Sequence, residues 1–148
     1  MQNQINLNEY QSRCGERQKN IVSRDEGHSW KHTGINKDQS KVRHFKIDGE
    51  VLPHGQVPER CDFLLVNDEK KTAYFIELKG SPSNAMKCVD QVECTERMCR
   101  NSLKGYTNFY RFVFGPGHGA YPSEFISWRA KKPKGIVRVK RADITENI

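Results

Sequence analysis

Two short apolar runs, Phe63-Leu64-Leu65-Val66 and Ala73-Tyr74-Phe75-Ile76, flank the polar stretch Asn67-Asp68-Glu69-Lys70-Lys71. Runs rich in aliphatic and aromatic residues on either side of a polar turn predict a β-hairpin. Their apolar residues do not alternate with polar ones, so both faces of these strands are expected to be covered. That requirement is demanding for a chain of 148 residues that is only 35% hydrophobic, and it predicts a single domain with a modest core. The runs end in charge: Asp62 precedes the first, and Glu77 and Lys79 close the second. A carboxylate or an ammonium in such a place is expensive to desolvate unless a metal ion or a partner compensates it.

If Asp68 to Lys71 form the loop, Asn67 pairs with Thr72, Val66 with Ala73, and Asp62 falls opposite Glu77. Directly opposed carboxylates on an antiparallel pair stand about 5 Å apart at Cβ and repel one another. A divalent cation between them reverses the sign, because hard cations prefer carboxylate oxygens. Glu77 and Lys79 are two apart, so they share a face, while Leu78 points away. In this register Asp62, Glu77 and Lys79 converge on one patch, and a slip of one residue would turn Asp62 to the other side.

Asp62, fourteen intervening positions, and then Glu77-Leu78-Lys79-Gly80 make the chain resemble the PD-(D/E)xK nuclease superfamily, which includes restriction endonucleases and Holliday-junction resolvases. The proline of the motif is not adjacent to Asp62; Pro58 lies four residues earlier. The resemblance implies a restriction-endonuclease-like α/β fold, three-layer α/β/α with a central mixed sheet flanked by helices. It implies Mg²⁺, with Mn²⁺ as a substitute, held by Asp62, Glu77 and the carbonyl of Leu78, and Lys79 orienting the attacking water. It also implies a Glu on the first helix, for which Glu16 and Glu9 are the candidates, and a Gln on the later helix, where Gln91 falls. Glu50 and Glu59, on the connecting loop, are outsiders.

The residues suit that chemistry. A phosphodiester resists attack because its charge repels a nucleophile. A metal on two carboxylates offsets that charge, lowers the pKa of bound water and stabilises the leaving oxyanion. A bare Asp followed by Glu-x-Lys is common, and the competing reading is a surface hairpin with a Glu77–Lys79 ion pair worth little. That reading leaves Asp62 unexplained.

Along the rest of the chain, Asn8 to Val22 reads as a weakly amphipathic opening helix and Ser23 to Ser40 as a loop or insert. Lys41 to Asp48 alternates and reads as a strand. Ser83 to Leu103 reads as the long helix, capped by Ser83 or Asn84, with Gly105 past its end. Thr107 to Phe114 and Ile136 to Val139 are further strands. Five cysteines at irregular spacing argue against a disulfide framework, and Cys88, Cys94 and Cys99 are expected as core residues of the long helix. Cys14, His28 and His32 sketch part of a zinc site without an evident fourth ligand. His44 and His54 face either the nucleic acid or nothing in particular.

With 25 Lys+Arg against 18 Asp+Glu, the net charge of +7 suits a polyanionic partner, expected to be DNA. Arg129, Lys131, Lys132 and Lys134 are the candidate phosphate contacts, with Trp128 and Tyr121 available to stack and Ser81 at the rim. No run is long and apolar enough for a membrane span, and a cytoplasmic location is expected. So short a chain would draw specificity from a homodimer, a protein partner or substrate shape. The rival function is a non-catalytic nucleic-acid- or protein-binding module that keeps the fold, possibly in a phage or anti-phage system.

Overall fold

A computed structural model of the protein describes residues 4–53 and 59–148. Its strands, in chain order, are β1 (Asn20–Ser23), β2 (His32–Ile35), β3 (Val42–Lys46), β4 (Phe63–Asn67), β5 (Thr72–Lys79), β6 (Thr107–Phe114), β7 (Val137–Lys140) and β8 (Ile144–Asn147). Helix α1 (Ala85–Met98) lies between β5 and β6, and α2 (Ser123–Ala130) between β6 and β7. The result is a mixed α/β fold with two mixed sheets, a five-stranded one ordered β3-β4-β5-β6-β7 and a three-stranded one ordered β1-β2-β8.

The hairpin forms as expected, and Asn67 shows why. Its side-chain oxygen accepts the backbone N–H groups of Glu69 and Lys70 at 3.2 and 3.0 Å, a local turn that closes the loop. Lys71 completes it in the left-handed region at φ 55°. The register follows: Asn67 pairs with Thr72, Val66 with Ala73, and so on to Phe63 with Ile76. On the outer side of β4, β3 pairs antiparallel; β6 and β7 add in parallel beyond β5.

Alternation along these buried strands feeds two cores. Leu64, Val66, Ala73 and Phe75 face Val89, Val92 and Met98 of α1 and Phe125 of α2. Phe63, Leu65, Tyr74, Ile76 and Leu78 face the opposite way, against Ile21 of β1 and Ile144 of β8. The sheets approach closely at Gly34, where a Cβ would stand 2.6 Å from Leu65 Cδ2. Both faces of the hairpin are therefore covered, as its composition requires, but by different means. The two helices share one face; a small sheet, not further helices, closes the other.

Several elements differ from the sequence reading. The expected opening helix is a single 3-10 turn (Leu7–Glu9) followed by extended chain. That chain lines the outer edge of β3, with the Arg13 N–H on the His44 carbonyl at 2.7 Å and the Val42 N–H on the Glu16 carbonyl at 2.8 Å. An edge strand's free backbone groups are satisfied that way, and a helix could not do it. The expected loop from Ser23 to Ser40 contains β2, and α2 and β8 were not anticipated. The expected helix from Ser83 begins instead as a 3-10 turn, Pro82–Asn84, with the Ser81 side chain accepting the Ser83 N–H. None of the five cysteines forms a disulfide; Cys61, Cys88, Cys94 and Cys99 are buried. No helix among the described residues is long and apolar enough to cross a membrane.

Candidate metal centre

Asp62 extends β4 by one residue, in line with Leu64 and Val66, and so projects on the helix face of the sheet beside Glu77 and Lys79. The Leu78 N–H donates to Asp62 Oδ2 at 2.8 Å, which fixes that carboxylate against β5. Lys79 turns its carbonyl to β6, accepting the Gly115 N–H at 2.7 Å. Strand alternation therefore turns the Leu78 carbonyl to the β4 side, towards Asp62. Its side chain enters the opposite core, as expected.

Glu77 is only 1% exposed, and neither carboxylate oxygen has a donor in hydrogen-bond geometry among the described residues. Burial raises its pKa well above the ordinary carboxylate range. The Asp62 charge and the contact between the two carboxyl groups raise it further, while Lys79 and the Asp62 backbone pull weakly the other way. The neighbouring thiols of Cys61 and Cys88 are also pushed up, by burial first and then by the Glu77 charge.

Gln91 lies on α1 between two residues that turn toward this corner. Cys88, one turn earlier, feels Glu77, Lys79 and Asp62. Thr95, one turn later, accepts the Cys61 N–H at 2.8 Å and donates to the Gln91 carbonyl at 2.9 Å. Positions three and four apart share a helix face, so Gln91 belongs to the stripe over the carboxylates. Its side-chain oxygen is buried without a donor among the described residues.

Sequence reasoning missed residues delivered from the loop between β1 and β2. Asp25 is half-buried, and its carboxyl is shifted upward by burial and by the charges of Asp62 and Asp48, against Lys46 and His28. Trp30 lies against the backbone of Gly80 and Gly115, next to Lys79. His28 stacks on Trp30 at 4.5 Å. An Asp in a polar, Gly-containing loop carries no local signal for this placement.

Other expectations are corrected. Glu16 is exposed and pairs with Lys41 at 3.5 Å, while its carbonyl holds Val42, the partner of Asn67. That is the far end of β4, about 16 Å from Asp62 at strand spacing, so Glu16 does not complete the site. Glu9 is exposed in the 3-10 turn. Glu50 pairs with Arg13, and Glu59 reaches Lys87 at 3.9 Å. Arg129 is in the last turn of α2, and Lys131, Lys132 and Lys134 follow it and precede β7, which starts opposite Tyr110. Lys132 stands over the Tyr110 and Trp128 rings at 5.6 and 5.1 Å. Since Lys79 pairs with Phe114 and Glu77 with Phe112, the start of β7 lies roughly 13 Å back along β6 from the level of Lys79 and roughly 7 Å from that of Glu77. Trp128 and Tyr121 pack on Phe125, so their rings serve α2. The Ser81 hydroxyl donates to the His118 carbonyl at 2.5 Å.

The zinc sketch does not assemble. His32 is fully buried against Glu146, Cys14 lies by Ser12 and Val42, and His28 is on Trp30. No group of three or more His, Cys, Asp and Glu residues at ligand spacing occurs among the described residues. His44 is buried on the Ser23 hydroxyl at 2.8 Å, and His54 lies outside the described residues.

A hard divalent cation suits what is present: a buried carboxylate lacking donors, a second one held alongside, and a strand carbonyl turned to the same side. Comparison with known proteins returned no match: no family model, curated protein or solved structure is similar to the chain.

Proposed function

We propose that the protein is a metal-dependent phosphodiester hydrolase of the PD-(D/E)xK type, acting on nucleic acid and on DNA first. The observation that carries this reading is Glu77, a buried carboxylate with no donor in hydrogen-bond geometry among the described residues, set against Asp62 and beside Lys79. Two carboxylates in so dry a corner repel, and structural purposes do not call for them. The order β3-β4-β5-α1-β6, a mixed sheet with a helix over the carboxylate end, also supports it. The restriction-endonuclease-like arrangement is proposed for that core alone, because a small sheet covers its second face.

Asp62, Glu77 and the Leu78 carbonyl would hold Mg²⁺ or Mn²⁺. When bound, that ion supplies charge neutralisation at the phosphate and an acidified water. Leu78 holds the Asp62 carboxylate through its N–H, which leaves the other Asp62 oxygen free of that bond. Lys79, half-buried on the same face, hydrogen-bonds the attacking water and steadies charge on the phosphate. Gln91 orients from α1. The buried surroundings exclude bulk water, which strengthens every charge interaction at the reacting phosphate.

The test is cleavage of single-stranded, duplex and four-way-junction DNA with Mg²⁺ or Mn²⁺. Lys79→Ala and Asp62→Ala are each expected to lower turnover by about a thousandfold, roughly 4 kcal/mol of barrier. Cutting that survives both substitutions would refute the assignment. A second reading, a non-catalytic nucleic-acid-binding module, is favoured by one observation: Lys132 of the basic cluster stands over the Tyr110 and Trp128 rings, beside the start of β7 and not among Asp62, Glu77 and Lys79. A polyanion can therefore be held without touching the carboxylates. DNA binding without cutting, and without any response to Mn²⁺, would select that reading. A homodimer or a protein partner would supply specificity in either case.

A further inference from the structure

The loop from 24 to 31 runs across the carboxylate end of the molecule, from the β3 side to the β6 side. It leaves β1 where Ser23 is fixed to His44, places Asp25 by Asp62 and Lys46, and ends with Trp30 on Gly80 and Gly115. The contact at Gly115 excludes any side chain, since a Cβ there would stand 2.6–2.8 Å from the indole ring. Beside it opens a groove of about 490 Å³ lined by Ser29, Trp30, Phe114, Gly115, Pro116 and Arg141. That volume is in the range of small-ligand sites, roughly 300–1,000 Å³.

Three features define what it would take. Its wall is aromatic, with the His28 ring stacked on Trp30 at 4.5 Å. The indole N–H is buried without an acceptor among the described residues. Arg141 stands over the Tyr121 ring at 5.3 Å and donates to the Gly119 carbonyl, which leaves most of its guanidinium donors for an anion. Asp143 also borders the groove, but its carboxylate accepts the Lys31 N–H at 3.0 Å. An aromatic face, an unmatched donor and a guanidinium match a nucleobase and its phosphate.

We propose that this groove binds an unpaired nucleotide flanking the scissile phosphate, so that the substrate is single-stranded or locally opened nucleic acid. The proposal rests on the reading of Asp62, Glu77 and Lys79 as the hydrolytic site, because Trp30 packs on Gly115, whose N–H donates to the Lys79 carbonyl at 2.7 Å. In a duplex both faces of each base are stacked, and a base reaches such a groove only by leaving the stack.

Trp30 and Trp128 are the chain's two tryptophans, so Trp128→Phe makes Trp30 a sole reporter. In EDTA, titration with an oligothymidine 12-mer is expected to quench Trp30 and saturate, with a blunt duplex of equal length about tenfold weaker. Arg141→Ala is expected to weaken the single strand about fivefold and leave the duplex unchanged. With Mn²⁺ added, the same variant should lose its kcat/KM advantage on single strands. A silent Trp30, or an Arg141→Ala variant that binds and cuts both substrates like the parent, overturns the groove. Quenching with no cutting by any form upholds the groove and refutes hydrolysis. Cutting with a silent Trp30 does the reverse.

Discussion

Glu77 and Glu146 lie inside this protein with opposite surroundings, the first buried and the second with about a tenth of its side chain exposed. Glu146, on β8, receives the His32 ring at 2.6 Å and Arg111 Nε at 2.7 Å. Arg111 spends further N–H groups on the carbonyls of Tyr110 and Ile136 and lies over the Tyr74 and Phe109 rings. Glu77, on β5, has a second carboxylate for its nearest polar neighbour and no donor in hydrogen-bond geometry among the described residues. The first arrangement ties the two sheets together, with β2 and β8 on one side and β6 on the other. Its positive charge comes from the protein itself. Among the described residues, only Lys79 sets a positive charge against the raised pKa of the second, so the protein retains there a cost that a proton or a cation relieves. A buried ion is structural where the chain supplies its partner and points to function where the chain withholds it.

The sharpest way to break the contrast is at Glu146. Glu146→Gln leaves Arg111 buried and unpaired, and the expected loss of stability is about 3–5 kcal/mol. Chemical denaturation measures it directly. A loss under 1 kcal/mol would show that solvent reaches the network, and the two carboxylates would then no longer be opposites.

The same substitution at Glu77 should act with the opposite sign. Its folded-state pKa is raised, so ionised Glu77 costs stability that grows as pH rises above the unfolded value near 4.5. Glu77→Gln removes that cost, and without metal at pH 8 it is expected to stabilise the fold by about 1–3 kcal/mol. The parent should gain about 2.7 kcal/mol in Mn²⁺ at a hundred times its Kd, and the variant should gain none. Destabilisation by Glu77→Gln, or equal responses to Mn²⁺, would make Glu77 a second structural carboxylate.

Of this contrast, the sequence exposes one half. The hairpin is legible because it is local: Asn67 makes its own turn, the apolar runs set the register, and the register brings Asp62 to Glu77. Thr107–Phe114 and most of α1 are legible for the same reason. The Glu146 network is not. His32 and Glu146 sit on four-residue strands whose partners are remote, β2 pairing in parallel with β8, and nothing in His-Thr-Gly-Ile or Ile-Thr-Glu-Asn announces burial. The short helix α2 hides because Phe125 is buried while its neighbour Ile126 is 57% exposed, so no apolar stripe forms. Charge density marks Arg129 to Lys134 as basic without saying at which end of the sheet the cluster lies. Asp25 and Trp30 reach the site through the docking of the small sheet, a tertiary event without local trace.

Acid should separate the two regions last and least. Burial works against the Glu146 charge, but the bonds from His32 and Arg111 outweigh it and draw its pKa down to about 2. His44, buried on Ser23 behind the same small sheet, is depressed to about 3 by burial, with Arg13 and His32 adding. Both folded values lie below the unfolded ones, so both groups contribute stability above their unfolded pKa that is lost as pH falls. Between pH 7 and 5.5 only His44 is in its window, since its unfolded value is near 6.5 and that of Glu146 near 4.5. The unfolded chain takes up close to one extra proton there, and the expected loss is about 1 kcal/mol. Denaturation at the two pH values, with His44→Gln as the reference, isolates it. The variant should lose the His44 contribution, while Glu77, whose pKa moves the other way, offsets it by a comparable amount in both proteins, so the difference between the two slopes is the quantity that reports His44. An unchanged slope in His44→Gln would mean that water reaches the ring. The small sheet would then be a loose cover, and the burial that distinguishes Glu146 from Glu77 would not hold on that side of the molecule.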